Sequence, residues 1–329
     1  MKQHFQQIDL LKGLAIIAVI LLHSLSKQEL IESFAVFHIW QAVPLFMVIM
    51  GFNLGLSYSG KTLQFRHLYT LHYFQKKAIR IIFPLLLLYV IAIGAGHVWQ
   101  QLYGEEIFTL GWENFIGVLP VSGKGNYFIT LLLQSILLLP LIGYTFHRKP
   151  YLTIATLIAL EIAFLIISFQ FAYFDENRYL YDAAFFRYLS AIALGMWLAR
   201  LASGEQPRVK WFVILSGLAS ALYLYIHQYQ GVSLPYIRPE WQAQLVLTFP
   251  YATLLIYLAI LLFPQRSDNQ LFVTMAQIGK ASYHIFLVQV LYFGLMPEGP
   301  SALANLAFCL AAGYAFFLVE SWFSEKITS

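Results

Sequence analysis

Long apolar runs separated by short polar stretches dominate the chain. A helix rises 1.5 Å per residue, so crossing roughly 30 Å of hydrocarbon takes about 20 apolar residues. About ten windows reach that length: 8–25, 37–58, 79–98, 127–146, 151–172, 184–202, 210–228, 243–263, 275–296 and 301–321. In lipid, backbone groups must be satisfied within the segment, so these windows read as helices. The alternating pattern of a β-barrel is absent. The expectation is an all-α polytopic membrane helical bundle of about ten transmembrane helices, forming one domain over 1–329.

Composition sharpens this picture. The 329 residues are 60% hydrophobic and 11% charged, where a soluble domain carries about 25% charged residues. The net charge of +4 is small and gives nucleic-acid binding no support. Cys309 is the single cysteine, which rules out a disulfide within the chain. It lies in an apolar run and reads as an inert core residue. A cleaved signal is not expected, because Asp9 and Lys12 interrupt the first window and no small-x-small site follows Leu25.

Charge placement predicts orientation. Alternating windows put Lys27, Lys124, Arg178, Arg187 and Arg238 on one side, and the other fifteen of the 20 Lys and Arg with the N-terminus. By the positive-inside rule both termini of this multi-pass chain are expected in the cytoplasm. The segment 99–126 is then the longest outer polar stretch. It reads equally as a lid over a cavity and as a plain loop.

The first window, IDLLKGLAIIAVILLHSL, carries Asp9, Lys12 and His23. Helical geometry places Lys12 and His23 within roughly 20° of each other and about 16 Å apart, with Asp9 about one turn from Lys12. Ionisable groups at membrane depth face a protein interior or a wet cavity, and they mark function. His23 is the only histidine well inside a window with ionisable groups on its own face. Its unperturbed pKa near neutrality suits a general base.

Lys76 and Arg80 stand four apart at the basic end of the third window, with Lys77 beside them. Such a cluster can clamp a phosphate-bearing ligand or serve only as a topogenic cluster on lipid head groups, and spacing alone leaves both readings open. Pro84 is expected to kink that helix. Glu161 sits in mid-window and must pair, be protonated or meet water. Gln134 and Gln289 are neutral polar groups at depth, suited to interhelical hydrogen bonds. No Gly-x-Ser-x-Gly, His-Glu-x-x-His or P-loop occurs, so serine-hydrolase, zinc and nucleotide-triphosphate chemistry have no motif and no metal is expected.

Taken together these stretches resemble the acyltransferase-3 family of bacterial membrane acyltransferases. Asp9-x-Leu11-Lys12-Gly13 with His23 resembles the first-helix D-x-L-R-G and its later histidine. Met50-Gly51-Phe52 resembles S-G-F, and Lys76-x-x-x-Arg80-Ile81 with Pro84 resembles R-x-x-x-R-I-x-x-P. Tyr127-Phe128 to Gln134 and Pro140, Phe186-Arg187-Tyr188 to Gly195, and Gly279-Lys280-Ala281-Ser282-Tyr283 to Gln289 resemble later blocks. Four positions depart from the pattern. Lys12 and Lys76 stand for arginines and lose the bidentate fork. Met50 stands for serine, and Gln289 for a frequent histidine.

The resemblance implies transfer of an acyl group, usually acetyl, from cytoplasmic acetyl-CoA or another acyl-CoA. The acceptor would be a hydroxyl of a glycan or lipid-linked carbohydrate at the outer face. It implies no permanently bound cofactor. His23 would be the base, with Asp9 and Lys12 orienting the site or stabilising charge, and Lys76, Lys77 and Arg80 would hold the donor. Arg187, Ser282, Tyr283, Gln289, Gln134 and Glu161 are further polar candidates. A transporter of a glycan or small acid is the competing class, because intramembrane charges suit it equally. A catalytically inactive subunit is a third reading.

Overall fold

The computed structural model describes residues 5–58, 64–202, 209–238, 241–297 and 299–328. Three cations of the orientation argument, Lys2, Lys61 and Arg208, lie outside the described residues. The long helices are α1 (Gln6–Ser24), α2 (Ala42–Tyr58), α3 (Phe83–Tyr103), α4 (Tyr127–Arg148), α5 (Pro150–Gln170), α6 (Leu189–Ala202), α7 (Val209–Gln230), α8 (Phe249–Leu262), α9 (Gln270–Lys280), α10 (Ser282–Leu295) and α11 (Ala302–Thr328). No strand occurs among the described residues.

The all-α membrane bundle expected from hydropathy is what the chain forms. Eight helices among the described residues are long and apolar enough to cross a membrane, and a ninth span is made if the bent pair α9–α10 is counted as one. The remaining window yields only α8. Pro250 sits in its first turn and has no N–H to continue the ladder backwards, so the helix starts there. Residues 241–248 form turns instead.

The window 275–296 is not one straight span. α9 and α10 meet at 64°. α9 buries Phe272, Ala276 and Gly279 on one stripe and exposes Leu271, Thr274, Gln277 and Lys280 on the other. It is amphipathic, whereas α10 is buried nearly throughout. Hydropathy averaged along the window cannot see that division.

Central and peripheral helices differ in burial. In the stretches Ala35–Tyr58 and Arg178–Ala202, 72% of the apolar window is buried, against 22% for Leu71–Tyr103 and 17% for Ala302–Lys326. The exposed Leu86, Val90, Leu303 and Phe308 on the peripheral helices are the surface lipid would cover. The centre holds Ile16, Ile20, Met47, Phe52, Ile192, Met196 and Phe249, all essentially inaccessible.

Small residues let the central backbones touch. A Cβ on Gly51 of α2 would stand 2.2 Å from the Ile192 carbonyl oxygen of α6, and one on Gly195 would stand 2.0 Å from that of Val48. A Cβ on Gly279 of α9 would stand 1.7 Å from the Asp9 carbonyl oxygen of α1, and one on Gly13 would stand 2.3 Å from that of Met275. Without a hydrophobic drive between helices in lipid, close van der Waals contact of this kind holds them together. The glycines of the sequence blocks therefore lie at helix crossings.

Candidate active site

His23 lies in the last turn of α1. The segment between α3 and α4 folds over it. Asn126, buried, accepts from the Leu119 N–H at 3.2 Å and donates to the Gly117 carbonyl at 3.3 Å. The Thr130 hydroxyl donates to the Ile116 carbonyl at 2.5 Å. These bonds shape the segment 117–126 as a roof. Lys124 Nζ donates to the His23 carbonyl at 3.1 Å, and Gln289 of α10 donates to the Lys124 carbonyl at 3.0 Å. Gly125 has φ +89°, and a Cβ there would lie 3.2 Å from His23 Nε2.

The His23 ring stands edge-on to Phe293 of α10, with centroids 6.0 Å apart. No hydrogen bond ties either ring nitrogen to another described residue. Gln289 Oε1, buried on the same stretch of α10, has no partner among the described residues.

The charged stripe of α1 divides in two. Lys12 Nζ and Asp9 Oδ1 form an ion pair at 2.6 Å. The fourteen-residue interval between Asp9 and His23 corresponds to about 21 Å of helix. Asp9 and Lys12 therefore meet each other and do not touch His23. Among the described residues no carboxylate orients the imidazole in the manner of a serine-protease triad.

At the end of the bundle that holds Asp9, Lys76 and Lys77 close the helix Leu71–Lys77, and Arg80 lies in a π-helical turn, Ala78–Ile82. That π-helical turn lies just before Pro84, where the sequence leads one to expect a kink. Pro84 cannot donate to the Arg80 carbonyl, and the ladder instead widens, with the Phe83 N–H reaching the Ala78 carbonyl. In a π turn a four-residue spacing falls just short of a full turn instead of just past it, so Lys76 and Arg80 stay on one side. Both are exposed, and Lys77 Nζ lies 5.7 Å from the Tyr73 ring.

α10 links the two ends. Ser282 is buried at its first position, and the next hydroxyl, Tyr283, donates to the Ile81 carbonyl inside the π turn at 2.9 Å. Ten residues later, about 15 Å along the helix, Phe293 meets His23. The basic-cluster block, the Gly279–Tyr283 block and the first-helix block are thus joined.

The other polar candidates make defined contacts. Gln134 Nε2 donates to the Ala183 carbonyl at 2.7 Å, and its Oε1 accepts from the Phe185 N–H at 3.1 Å. It staples α4 to the turn before α6. Glu161 is fully buried, and its Oε2 accepts from the Ser190 N–H at 2.7 Å near the start of α6. Arg187 is fully buried, and its guanidinium lies 3.7 Å from the Trp241 ring centroid and 4.8 Å from that of Tyr181. It donates to the Asp182 carbonyl at 3.2 Å.

Sequence reasoning missed three features. His284 also lies inside a span window, and its Nε2 pairs with Glu320 Oε2 of α11 at 3.2 Å, so His23 is not alone in having an ionisable neighbour at depth. The pair is buried among Phe316 and Phe317. The partners sit on different helices, and no periodicity within one segment signals them. Asn126 and Tyr179 were missed as well. Asn126 Nδ2 donates to the Tyr179 hydroxyl at 3.1 Å, and that hydroxyl also meets Thr130 Oγ1 at 2.7 Å. The only signal in the chain was Asn126 standing next to Gly125 just before a helix.

The chain belongs to the acyltransferase-3 family, whose acyltransferase domain matches residues 5–320. No match was found among curated proteins or among solved structures. With its membrane-spanning helices, the chain is a membrane acyltransferase.

Proposed function

We propose that the protein moves an acyl group, most simply acetyl, from cytoplasmic acyl-CoA to a hydroxyl of a carbohydrate acceptor at the outer face of the cytoplasmic membrane. The observation that carries this reading is the path along α10 from the basic cluster, through Tyr283 and Ile81, to the roofed His23. Lys76, Lys77 and Arg80 would hold the donor phosphates at one end, Lys76 as a point charge and Arg80 with a bidentate fork. The donor's long arm would follow α10 toward His23. Asp9 and Lys12, 2.6 Å apart, would steady the α1–α9 crossing near the donor mouth.

At His23 a free imidazole nitrogen takes the proton of the acceptor hydroxyl as its oxygen attacks the thioester carbonyl. The carbon–sulfur bond breaks, and the thiolate leaves with the proton that His23 returns. An acyl-enzyme intermediate would divide the same chemistry into two steps.

The test is transfer of labelled acetyl from acetyl-CoA to envelope glycan by the purified chain in lipid. Label in the glycan supports the reading, and its absence with bound acetyl-CoA intact overturns it. The transporter reading calls for broken helices in matching halves. Among the described residues one apolar helix pair, α9–α10, is bent by more than 40° at a short break.

A further inference from the structure

Two prolines interrupt helical ladders beside the basic cluster, and tyrosine hydroxyls bond carbonyls at both places. Pro84 cannot serve the Arg80 carbonyl, and Tyr283 of α10 bonds the next one, Ile81, at 2.9 Å. Pro140 lies inside α4 and leaves the Ile136 carbonyl without its donor four residues on. Tyr73 donates its hydroxyl to that carbonyl at 2.7 Å, and Tyr69 donates to the adjoining Leu137 carbonyl at 2.5 Å. Gly143, three residues past Pro140, makes room for the ring of Tyr58, the last residue of α2. A Cβ on Gly143 would stand 1.9 Å from the Tyr58 Cε2. From Ile136 to Gly143, α4 thus forms a notch that takes tyrosines.

That notch holds the segment carrying the cluster. The helix Leu71–Lys77 buries none of its residues, so it lacks the apolar packing that fixes the central helices. Its cap, in which the Thr70 hydroxyl accepts the Tyr73 N–H at 3.2 Å, is internal to the segment and cannot tie it to the bundle. The two phenol bonds can. A carbonyl without a donor is costly at membrane depth, and buried Ile136 is such a place. Tyr73 also stands one turn from Lys77, whose ammonium lies over its ring. The Tyr73 hydroxyl before the cluster and the Tyr283 hydroxyl after it therefore bracket Lys76, Lys77 and Arg80.

We propose that Tyr69 and Tyr73 are positioning residues for the acyl-CoA donor. Their hydroxyls, docked on the α4 carbonyls beside Pro140, hold the basic cluster where the donor phosphates bind. Neither tyrosine touches the donor in this assignment; both act through Lys76, Lys77 and Arg80. The inference rests on the reading of that cluster as the donor site.

The experiment uses the full chain in phosphatidylcholine nanodiscs, with acetyl-CoA as the probe. A nitroxide is attached to a cysteine placed at exposed Gln75, with Cys309 replaced. The double variant Tyr69→Phe, Tyr73→Phe keeps both rings and removes both hydroxyls. It should loosen the nitroxide and weaken acetyl-CoA affinity about 5-fold or more, because losing two hydrogen bonds lowers the docked fraction. Transfer at saturating acetyl-CoA should keep the parent rate, a split between KM and kcat that a general loss of folding would not give. Pro140→Ala returns an N–H to the Ile136 carbonyl, so Tyr73→Phe should cost less affinity in that background than in the parent. A nitroxide as immobile as in the parent overturns the inference, and so does an equal cost of Tyr73→Phe in both backgrounds. Lys76→Ala separates the two readings. If it weakens acetyl-CoA binding and the tyrosine pair does not, the donor site stands and the positioning role falls. If the nitroxide loosens and neither variant alters the affinity, the anchoring stands and the donor reading falls.

Discussion

Gly125 closes over His23 so tightly that a single added carbon would stand 3.2 Å from Nε2. Its φ of +89° is also one that side chains rarely adopt. Gly125→Ala is therefore expected to strain the roof by about 1–3 kcal/mol and to crowd the imidazole. Thermal unfolding in detergent should show the loss of stability, and transfer should fall with it. Parent-like stability and rate would mean that the roof is loose in solution.

His23 itself offers the sharpest chemical test. General-base catalysis contributes about 10²- to 10⁴-fold. His23→Ala should leave a folded chain that binds acetyl-CoA yet transfers at least about 100-fold more slowly. His23→Gln should fail alike, because an amide can hydrogen-bond but cannot take the proton. A near-normal rate for His23→Gln would make His23 structural and move the search for the base to Glu161 or His284.

At the other end, Lys76→Ala and Arg80→Ala are expected to weaken acetyl-CoA binding by roughly 10- to 150-fold, the equivalent of about 1.5–3 kcal/mol for a charge-assisted contact. Both side chains are exposed, so folding should be little changed. Unaltered affinity in calorimetry would assign the cluster to membrane topology alone.

The helix crossings give a stability prediction with an internal control. A methyl at Gly279 would overlap the Asp9 carbonyl oxygen at 1.7 Å, a backbone atom that cannot swing away. Gly279→Ala should cost at least about 1–3 kcal/mol, as overpacking does. At Gly94 nothing lies within 4 Å of the added carbon, so Gly94→Ala should be neutral or slightly stabilising. Equal unfolding temperatures for the two variants would contradict the α1–α9 packing.

Orientation follows from the charge split. Cysteines placed at Gln75 and at Glu105, in a background where buried Cys309 is replaced, should label from opposite sides of the membrane. Labelling of residue 75 from outside would reverse the donor and acceptor ends.

Apolar length made the spans readable in the chain, because satisfying the backbone in lipid leaves helices as the solution for every long apolar run. His23, Lys76 and Arg80 stood out for the same reason: a charge or imidazole near such a run is costly enough to be noticed one residue at a time. Pairing between helices could not be read that way. Asp9 lay near Lys12 by helical spacing alone, but Glu161 had no evident partner until α5 met the Ser190 N–H. His284 had none until α11 brought Glu320 to 3.2 Å. Gly13 and Gly51 were visible as residues of their blocks, yet only the crossings with α9 and α6 explain why a side chain cannot stand there. The roof over His23 depends on loops whose polar residues look ordinary in sequence. Their geometry comes from hydrogen bonds between segments about fifty residues apart, Asn126 to Tyr179 among them, and local periodicity carries no record of such contacts.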